Sequence, residues 1–300
     1  MTIPESQLGT WTHMGASAQS SATYQSIKPV LEHKDSPYAA RQIDSFLQGS
    51  YGNDTNVYGA DSDVDIVLRS KSFFYYDIDA LPEYQKIEFK RVHPTPAPYD
   101  LKIFRSDVVA WLTTKYGSDL DTSGTKALRL KENGTRRSSD VLLVAPHRQF
   151  SQYVSVQEHS YVEGVLFITS GGTRIINYPK QHSENMTRKH QAAKEWLKPT
   201  VRIYKNIRNR LVRDGKLKSG VAPSYFIEGM LHNVPVGEFG TNYQKTVEKC
   251  WGWIMTSSTA DLMCANGIHP LIRDNLATSW PIQAFLDYME ATKQLWDQCK

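Results

Sequence analysis

Apolar and polar positions alternate with different periods in the first part of the chain, and these periods predict different elements. Within residues 18–47 apolar side chains recur every three or four positions, which predicts two helices broken near Pro37. The positions that mark this period are Tyr24, Ile27, Leu31, Ala40, Ile43 and Leu47. The run from Asp63 to Leu68 becomes apolar after an acidic start, so we predict a strand there.

The middle of the chain carries a hairpin signal. Asn133-Gly134 is a strong tight-turn pair, and it lies between two strand-like runs at residues 126–131 and 136–144. We therefore predict a hairpin whose second strand carries Asp140. Before it, Ser106-Asp107 predicts the N-cap of a helix that ends at Gly117.

The second part of the chain is predicted to be helical. A turn-rich stretch at residues 178–185 is interpreted as the link between a sheet-containing lobe, residues 1–180, and a helical lobe, residues 181–300. One helix has an apolar stripe and carries Pro199 in its first turn; the stripe consists of Leu197, Val201, Tyr204, Ile207 and Leu211. Further helices are predicted at residues 223–231, 243–255 and 280–299.

Composition narrows the class of protein. The 300 residues are 40% hydrophobic, enough for a large core, and no apolar run is long enough to span a membrane. We expect a cytoplasmic protein with reduced thiols and without zinc, because the three cysteines are widely spaced and no export signal is recognisable. Residues 186–218 hold eleven Lys or Arg against two acidic residues, a net charge of +9, which predicts contact with anions.

Candidate chemistry is concentrated in acidic residues at the starts of two predicted strands. Residues two apart on a strand project to the same side, so Asp63 and Asp65 are expected to lie together. If Asp140 converges on them, the three carboxylates offer a site for two hard divalent cations, an arrangement that serves phosphoryl transfer. Gly49 lets the backbone approach a phosphate closely, and Ser50 offers a hydroxyl and an amide donor.

These residues resemble a known motif. Gly49-Ser50 followed by Asp63-Val64-Asp65-Ile66 resembles the DNA polymerase β-like nucleotidyltransferases, and the longer string QGSYGNDTNVYGADSDVDIVL looks like the cGAS/DncV-like branch of bacterial anti-phage signalling. The likeness continues through residues 177–190, 223–235 and 264–268. It implies an α+β, two-lobed fold, with an N-terminal mixed sheet flanked by helices, a C-terminal helical lobe and an active site in the cleft between them.

The resemblance also implies individual roles. Asp63, Asp65 and Asp140 would be catalytic and would bind two Mg²⁺ ions, or Mn²⁺ in their place. Lys205 would reach the β- or γ-phosphate of a nucleotide, Ser224 would contact its phosphates, and Tyr225 would stack on its base. Gln48, Gly49 and Ser50 complete the predicted nucleotide-binding set.

Other polar residues nearby are given more ordinary roles. Asp61 is interpreted as a turn residue, and Arg136 and Arg137 as exposed hairpin charges, with contact to an acceptor phosphate as the alternative. A structural hydrogen-bonding role is expected for the remaining three, which are His182, Asn185 and His190.

The expected activity is template-independent joining of NTPs into a cyclic di- or trinucleotide, or a short oligonucleotide, with release of pyrophosphate. The product would act on a separate effector protein. No activation by DNA is implied, because the chain does not match the zinc insertion with which animal cyclic GMP-AMP synthase binds DNA. Two alternatives remain: an RNA- or protein-directed nucleotidylyltransferase that uses the +9 segment as a track, and a catalytically silent nucleotide sensor.

Overall fold

The computed structural model describes residues 3–15, 17–58 and 63–298. Their packing divides the chain into two compact units. The sheet unit comprises residues 18–48 and 63–178, and the helical unit comprises the described parts of residues 1–17, 49–62 and 179–300. The predicted domain boundary at residue 180 stays a prediction, because these units are discontinuous in sequence.

The sheet unit is built on one mixed sheet with flanking helices. Its strands are β1 (Ile43–Leu47), β2 (Val64–Ser70), β3 (Tyr75–Asp77), β4 (Leu120–Asp121), β5 (Leu128–Leu130), β6 (Ser139–Tyr153), β7 (His159–Ile168) and β8 (Arg174–Asn177). Its helices are α2 (Ser17–Leu31), α4 (Glu83–Val92) and α5 (Leu101–Tyr116).

Strand β6 is the central strand of this sheet. The strand order is β1-β2-β6-β5-β4, in which β2 and β6 are parallel and the other neighbours are antiparallel. Beyond residue 144, β6 pairs with β7 and β3. The apolar faces of β2 and β6 pack with α5, whose Phe104, Val108 and Leu112 are fully buried.

The helical unit has its own core. Its elements are α1 (Glu5–Trp11), α3 (Gly49–Gly52), α6 (Pro179–Ala192), α7 (Leu197–Arg213), α8 (Ser224–Asn233), α9 (Tyr243–Thr256) and α10 (Ile282–Gln298). Helix α7 lies in the middle, since its predicted apolar stripe is fully buried and it packs with α1, α6, α8, α9 and α10. No helix in the described part of the chain is both long and apolar enough to cross a membrane.

Several predicted elements are confirmed and three are wrong. Strand β2, the β5–β6 hairpin and helices α7 to α10 lie where the pattern places them, and Gly134 has a φ of +80° in the hairpin turn. Residues 43–47, however, form strand β1 rather than a helix. Pairing with β2 decides this, together with the ion pair between Asp44 and Arg69.

The other two corrections concern helix ends. Helix α5 begins at Leu101 because the Asp100 side chain accepts from Lys102 N and Ile103 N, so Ser106-Asp107 is not its N-cap. Its predicted end at Gly117 is confirmed. The stretch 178–185 is not a turn-rich link, because helix α6 begins at Pro179, a residue suited to a first helical turn.

Candidate active site

Three aspartates lie at the paired starts of β2 and β6 in the sheet unit, and we call Asp63, Asp65 and Asp140 the carboxylate cluster. Asp65 lies directly opposite Asp140 in the parallel pairing of β2 and β6. Val64 and Ile66 are buried on the core face of β2, so alternation along the strand turns Asp65 to the exposed face. Asp63 immediately precedes β2 and, two residues before Asp65, is expected on the same side of the strand.

The electrostatics of this cluster are those of crowded like charges. Burial raises the pKa of Asp140 above its ordinary value, and the negative charge of Asp63 raises it further. Arg129 acts in the opposite direction. Its Nη2 lies 3.2 Å from Asp63 Oδ1, and its backbone position on β5 is directly opposite Asp140.

The donor chemistry of the cluster suits a hard cation. Carboxylate oxygens are the ligands that Mg²⁺ prefers, and a cation would relieve the repulsion that raises the pKa of Asp140. Within the described ranges, no three or more His, Cys, Asp and Glu side chains are gathered into a ready metal site. The two-metal assignment to Asp63, Asp65 and Asp140 therefore stays a prediction.

The Gly-Ser pair begins a short helical turn. Gly49 has a φ of +68°, a left-handed conformation that a side chain would strain, and it opens α3. Just before it, Gln48 N donates to Asp65 O at 3.0 Å. Gln48 Oε1 is buried and has no hydrogen-bond partner among the described residues. Ser50 belongs to the helical unit, where its hydroxyl contacts a buried group of polar side chains.

Ser50 meets Lys205 in that group. Lys205 Nζ donates to Ser50 Oγ at 3.0 Å, to Thr55 Oγ1 at 2.8 Å and to Glu228 Oε1 at 2.6 Å. The Lys205 side chain is only 1% exposed. We call these residues, together with Asn53 and His182, the Lys205–Glu228 network.

Glu228 is the centre of this network and was missed by the sequence analysis. Its two oxygens also accept from Thr55 Oγ1 at 2.5 Å, Asn53 Nδ2 at 2.9 Å and His182 Nε2 at 2.7 Å. Burial alone would raise the pKa of Glu228, but Lys205 and His182 outweigh it, so this pKa lies well below its ordinary value. The available signal was one acidic residue inside the apolar run of α8.

The two predicted residues at the start of α8 are half-buried. Ser224 Oγ accepts from Arg208 Nη1 at 3.3 Å. The ring of Tyr225 stacks on His182, with 4.8 Å between centroids and an interplanar angle of 23°. Its hydroxyl oxygen accepts from Asn266 Nδ2 at 3.0 Å. The structure thus brings Ser50, Lys205, Ser224 and Tyr225 into the helical unit.

Comparison with known proteins gives the family. Residues 184–297 match the family model of the cGAS/DncV-like nucleotidyltransferase C-terminal helical domain. A cyclic UMP-AMP synthase of Rhodothermus marinus is 35% identical over 99% of this chain and 100% of its own length. The chain belongs to the cGAS/DncV-like nucleotidyltransferases.

Two further similarities agree with this assignment to the CD-NTases, as the family is abbreviated. Cyclic nucleotide synthase CdnE01 of Staphylococcus haemolyticus is 32% identical over 89% of both chains. The solved structure of the Rhodothermus marinus CdnE c-UMP-AMP synthase with Apcpp and Upnpp superimposes with a TM-score of 0.86 at 32% identity, covering 99% of this chain and 97% of that one. The predicted two-lobed α+β fold and nucleotidyltransferase class are confirmed.

Family membership also confirms the predicted kind of activity, cyclic nucleotide synthesis. It does not test the residues assigned to the site. The carboxylate cluster lies in the sheet unit, and the Lys205–Glu228 network lies in the helical unit. Their roles in this CD-NTase remain proposals.

The secondary candidates are placed as follows. Arg136 is buried rather than exposed, because it donates to Lys131 O and pairs with Asp119 at 3.2 Å. His182 is a buried network member, and Asn185 Nδ2 donates to Ala265 O at 2.8 Å. Three residues complete the set: His190 Nδ1 accepts from Lys198 N, Arg137 N donates to Thr23 Oγ1, and Asp61 lies outside the described residues.

Proposed function

We propose that this CD-NTase joins two nucleoside triphosphates into a cyclic dinucleotide and releases pyrophosphate as each bond forms. UTP and ATP are the first candidate substrates, because the Rhodothermus marinus relative is named a cyclic UMP-AMP synthase. The carboxylate cluster carries the proposal, since opposed aspartates on paired strands suit metal-assisted phosphoryl transfer.

The carboxylates receive the catalytic roles. CD-NTases generally depend on divalent metals, and we infer that Asp63, Asp65 and Asp140 hold two Mg²⁺ ions, or Mn²⁺. When bound, the metals supply charge stabilisation and a lowered pKa for the attacking hydroxyl. Asp140 is also proposed to accept the proton of that hydroxyl.

The nucleotide-binding roles fall to the other predicted residues. Lys205 is proposed to reach the β- or γ-phosphate. The hydroxyls of Ser50 and Ser224 are proposed to donate to phosphate oxygens, and the ring of Tyr225 to stack on a base. The left-handed turn at Gly49 gives the backbone of α3 its direction, and Gln48, with a buried carbonyl oxygen, precedes it.

The burial of three cations of α7 favours nucleotides over an RNA track. Lys198 pairs with Asp54 at 3.0 Å, Arg202 donates to Asp54 O and Thr12 O, and Lys205 is enclosed in its network. These cations of the +9 segment are used inside the helical unit and offer little to a nucleic-acid backbone. We further propose a cytoplasmic enzyme whose product acts on a separate effector in anti-phage defence.

Pyrophosphate release from NTP pairs with Mg²⁺, followed by mass spectrometry of the products, tests this function. We expect one dominant cyclic dinucleotide and no turnover by the Asp63→Ala/Asp65→Ala double variant. Asp79→Ala, at an exposed aspartate between β3 and α4, is the matched control and should be fully active. Absence of pyrophosphate release from every NTP combination, or activity in the double variant, contradicts the proposal.

A further inference from the structure

A pocket of about 320 Å³ is lined by residues of α9 and α10 in the helical unit, and we call it the Trp251–Trp296 pocket. Ligand pockets measure roughly 300–1,000 Å³, so this one suits a small molecule. None of its residues belongs to the Lys205–Glu228 network or to the set proposed for nucleotide binding. The side chains that characterise it are two tryptophans, one hydroxyl and three charged groups: Trp251, Trp296, Thr292, Glu248, Lys293 and Asp297.

The buried part of the pocket carries a hydroxyl that the fold does not use. Thr292 is 2% exposed, and its Oγ1 has no hydrogen-bond partner among the described residues. The hydroxyl of Tyr288, which lies near Thr292 and one turn earlier on α10, donates instead to Tyr204 O at 2.8 Å. A buried hydroxyl without a partner costs free energy, so a ligand atom that bonds with Thr292 Oγ1 would be favoured.

The two tryptophans are held by hydrogen bonds that join α9 to α10. Trp251 Nε1 donates to Met289 O at 3.2 Å, and Trp296 Nε1 donates to Glu248 Oε1 at 3.1 Å. Because both indole N–H groups are used within the protein, the rings offer a ligand apolar and π-electron contact. Indole rings pack well with other aromatic rings and attract cations more strongly than the rings of tyrosine or phenylalanine.

The charged side chains give the pocket an excess of negative charge. Lys293 Nζ pairs with Asp297 Oδ2 at 2.6 Å, whereas Glu248 forms no ion pair with any described residue. Two carboxylates therefore accompany one ammonium group. Glu248 and Lys293 are exposed, so this charge lies at the mouth of the pocket, with Thr292 deeper inside. Such a mouth repels a nucleoside triphosphate and attracts a cation.

We propose that the Trp251–Trp296 pocket binds a small aromatic amine whose ring carries a hydroxyl or a similar polar group. The ring contacts the indoles of Trp251 and Trp296, the ammonium group meets Glu248 at the mouth, and the polar group bonds with Thr292 Oγ1. This site goes beyond the proposed catalytic function, because it takes neither the nucleotides nor the metal ions of that reaction.

Hydrogen bonds connect both helices of the pocket to the residue before Lys205. The hydroxyl of Tyr204 donates to Val247 O of α9 at 2.9 Å, and its backbone oxygen accepts from Tyr288 of α10. Val247 also lines the pocket, and Tyr288 lies one turn before Thr292. A ligand that moves α9 relative to α10 would shift Tyr204 and with it Lys205. We therefore expect the occupied pocket to change the affinity for a nucleotide.

A titration with tyramine, followed by tryptophan fluorescence, tests the binding. Phenethylamine lacks the hydroxyl of tyramine, and 3-(4-hydroxyphenyl)propionate carries a carboxylate in place of the ammonium group. We expect saturable binding of tyramine, binding of phenethylamine that is about 2- to 10-fold weaker, and no detectable binding of the propionate. Thr292→Val, which removes an unpartnered hydroxyl without changing the shape, should leave stability intact and abolish the difference between the two amines.

The charge at the mouth is tested separately. Glu248→Gln should weaken tyramine binding by about 2- to 5-fold, because one exposed carboxylate is lost. Glu184→Gln is the matched control, since this carboxylate is 55% exposed on α6 and does not line the pocket. Three outcomes overturn the inference: no saturable binding of tyramine, equal binding of the three compounds, or a Thr292→Val variant that still distinguishes the two amines.

The connection through Tyr204 is tested with a non-hydrolysable ATP analogue and Mg²⁺. Saturating tyramine should change the affinity for the analogue by about 5-fold or more, and the analogue should change the affinity for tyramine by the same factor. An unchanged affinity for the analogue overturns this connection. Failure of the wild type to bind the analogue, with tyramine binding intact, would count against the proposed function and not against the pocket.

Discussion

The carboxylate cluster and the Lys205–Glu228 network differ in how their charges are balanced. In the cluster, Asp65 and Asp140 lie side by side on paired strands, Asp63 adds to their repulsion, and Arg129 brings one cation that is half exposed. In the network, one cation and one anion are matched at 2.6 Å, and both are almost completely buried.

We infer from this difference that the cluster is arranged for a ligand, whereas the buried pair of Lys205 and Glu228 stabilises the fold. A buried, matched pair tolerates the loss of neither partner, because the remaining charge has no water to solvate it. Crowded carboxylates at the exposed end of two strands repel one another, so removing one should raise folding stability. The same change should weaken the binding of a cation at that end. Folding stability and activity should therefore respond in opposite order at the two sites.

The largest effect on stability is expected from breaking the buried pair. Lys205→Met leaves the Glu228 carboxylate without its cation, so we expect the free energy of unfolding to fall by about 3–5 kcal/mol. Urea denaturation at pH 7 measures it. Lys180→Met, at a side chain that is 79% exposed, is the control and should change little. A loss below about 1 kcal/mol in Lys205→Met would mean that the network is not structural.

Removing both charges should restore part of that stability. In Lys205→Met/Glu228→Leu no charge is left buried, so a double-mutant cycle should give a favourable coupling of about 1–3 kcal/mol. Recovery stays incomplete because Asn53, Thr55 and His182 lose their common acceptor. Simple additivity of the two single changes would contradict a direct pairing of Lys205 with Glu228.

The buried pair also predicts a dependence on pH. Because the pKa of Glu228 is lowered in the folded protein, its stabilising effect is complete above the ordinary value of 4.5 and is lost as the pH falls below it. Relative to Glu228→Gln, the wild type should lose about 1.4 kcal/mol per pH unit in that acidic range. Parallel stability curves from pH 6 to pH 3 would show that Glu228 is not the group responsible.

The sequence allowed the carboxylate cluster to be found because its geometry is local. Period-two alternation places Asp63 and Asp65 on one side of β2, and Asp140 begins the strand that pairs with it. The apolar stripe of α7 was predictable for the same reason. Each inference needed only the spacing of residues along one element.

The network could not be predicted in this way. Lys205 lies outside the apolar stripe, so the period alone suggests a solvated face, yet α1, α6, α8, α9 and α10 surround the helix. Its partners Ser50 and Thr55 are about 150 residues away along the chain. The helix predicted at residues 43–47 was wrong for a related reason. These five residues have a mixed pattern, and their strand conformation depends on pairing with β2 rather than on their own period.

A smaller effect, of opposite sign, is expected in the carboxylate cluster. Asp63→Asn/Asp65→Asn removes like charges while keeping shape, so in EDTA at pH 7 the free energy of unfolding should rise or stay within about 1 kcal/mol. Pyrophosphate release by this variant should nevertheless be lost. Thermal denaturation and the turnover assay together measure the contrast with Lys205→Met. Destabilisation comparable to that variant would remove the distinction between the two sites.

The smallest effect is expected from Arg129, whose Nη2 lies 3.2 Å from Asp63 Oδ1. Arg129→Gln should cost about 0.2–1 kcal/mol of stability in EDTA, because its pair with Asp63 is half exposed. The same change should increase the stabilisation that Mn²⁺ gives to the fold, since the metal no longer competes with a guanidinium for Asp63. Melting temperatures across a Mn²⁺ titration measure this, with Arg91→Gln, at an exposed pair on α4, as the control. If Mn²⁺ stabilises Arg129→Gln no more than the control, Arg129 does not compete with the metal for Asp63. The cluster would then have to bind its cation through Asp65 and Asp140 alone.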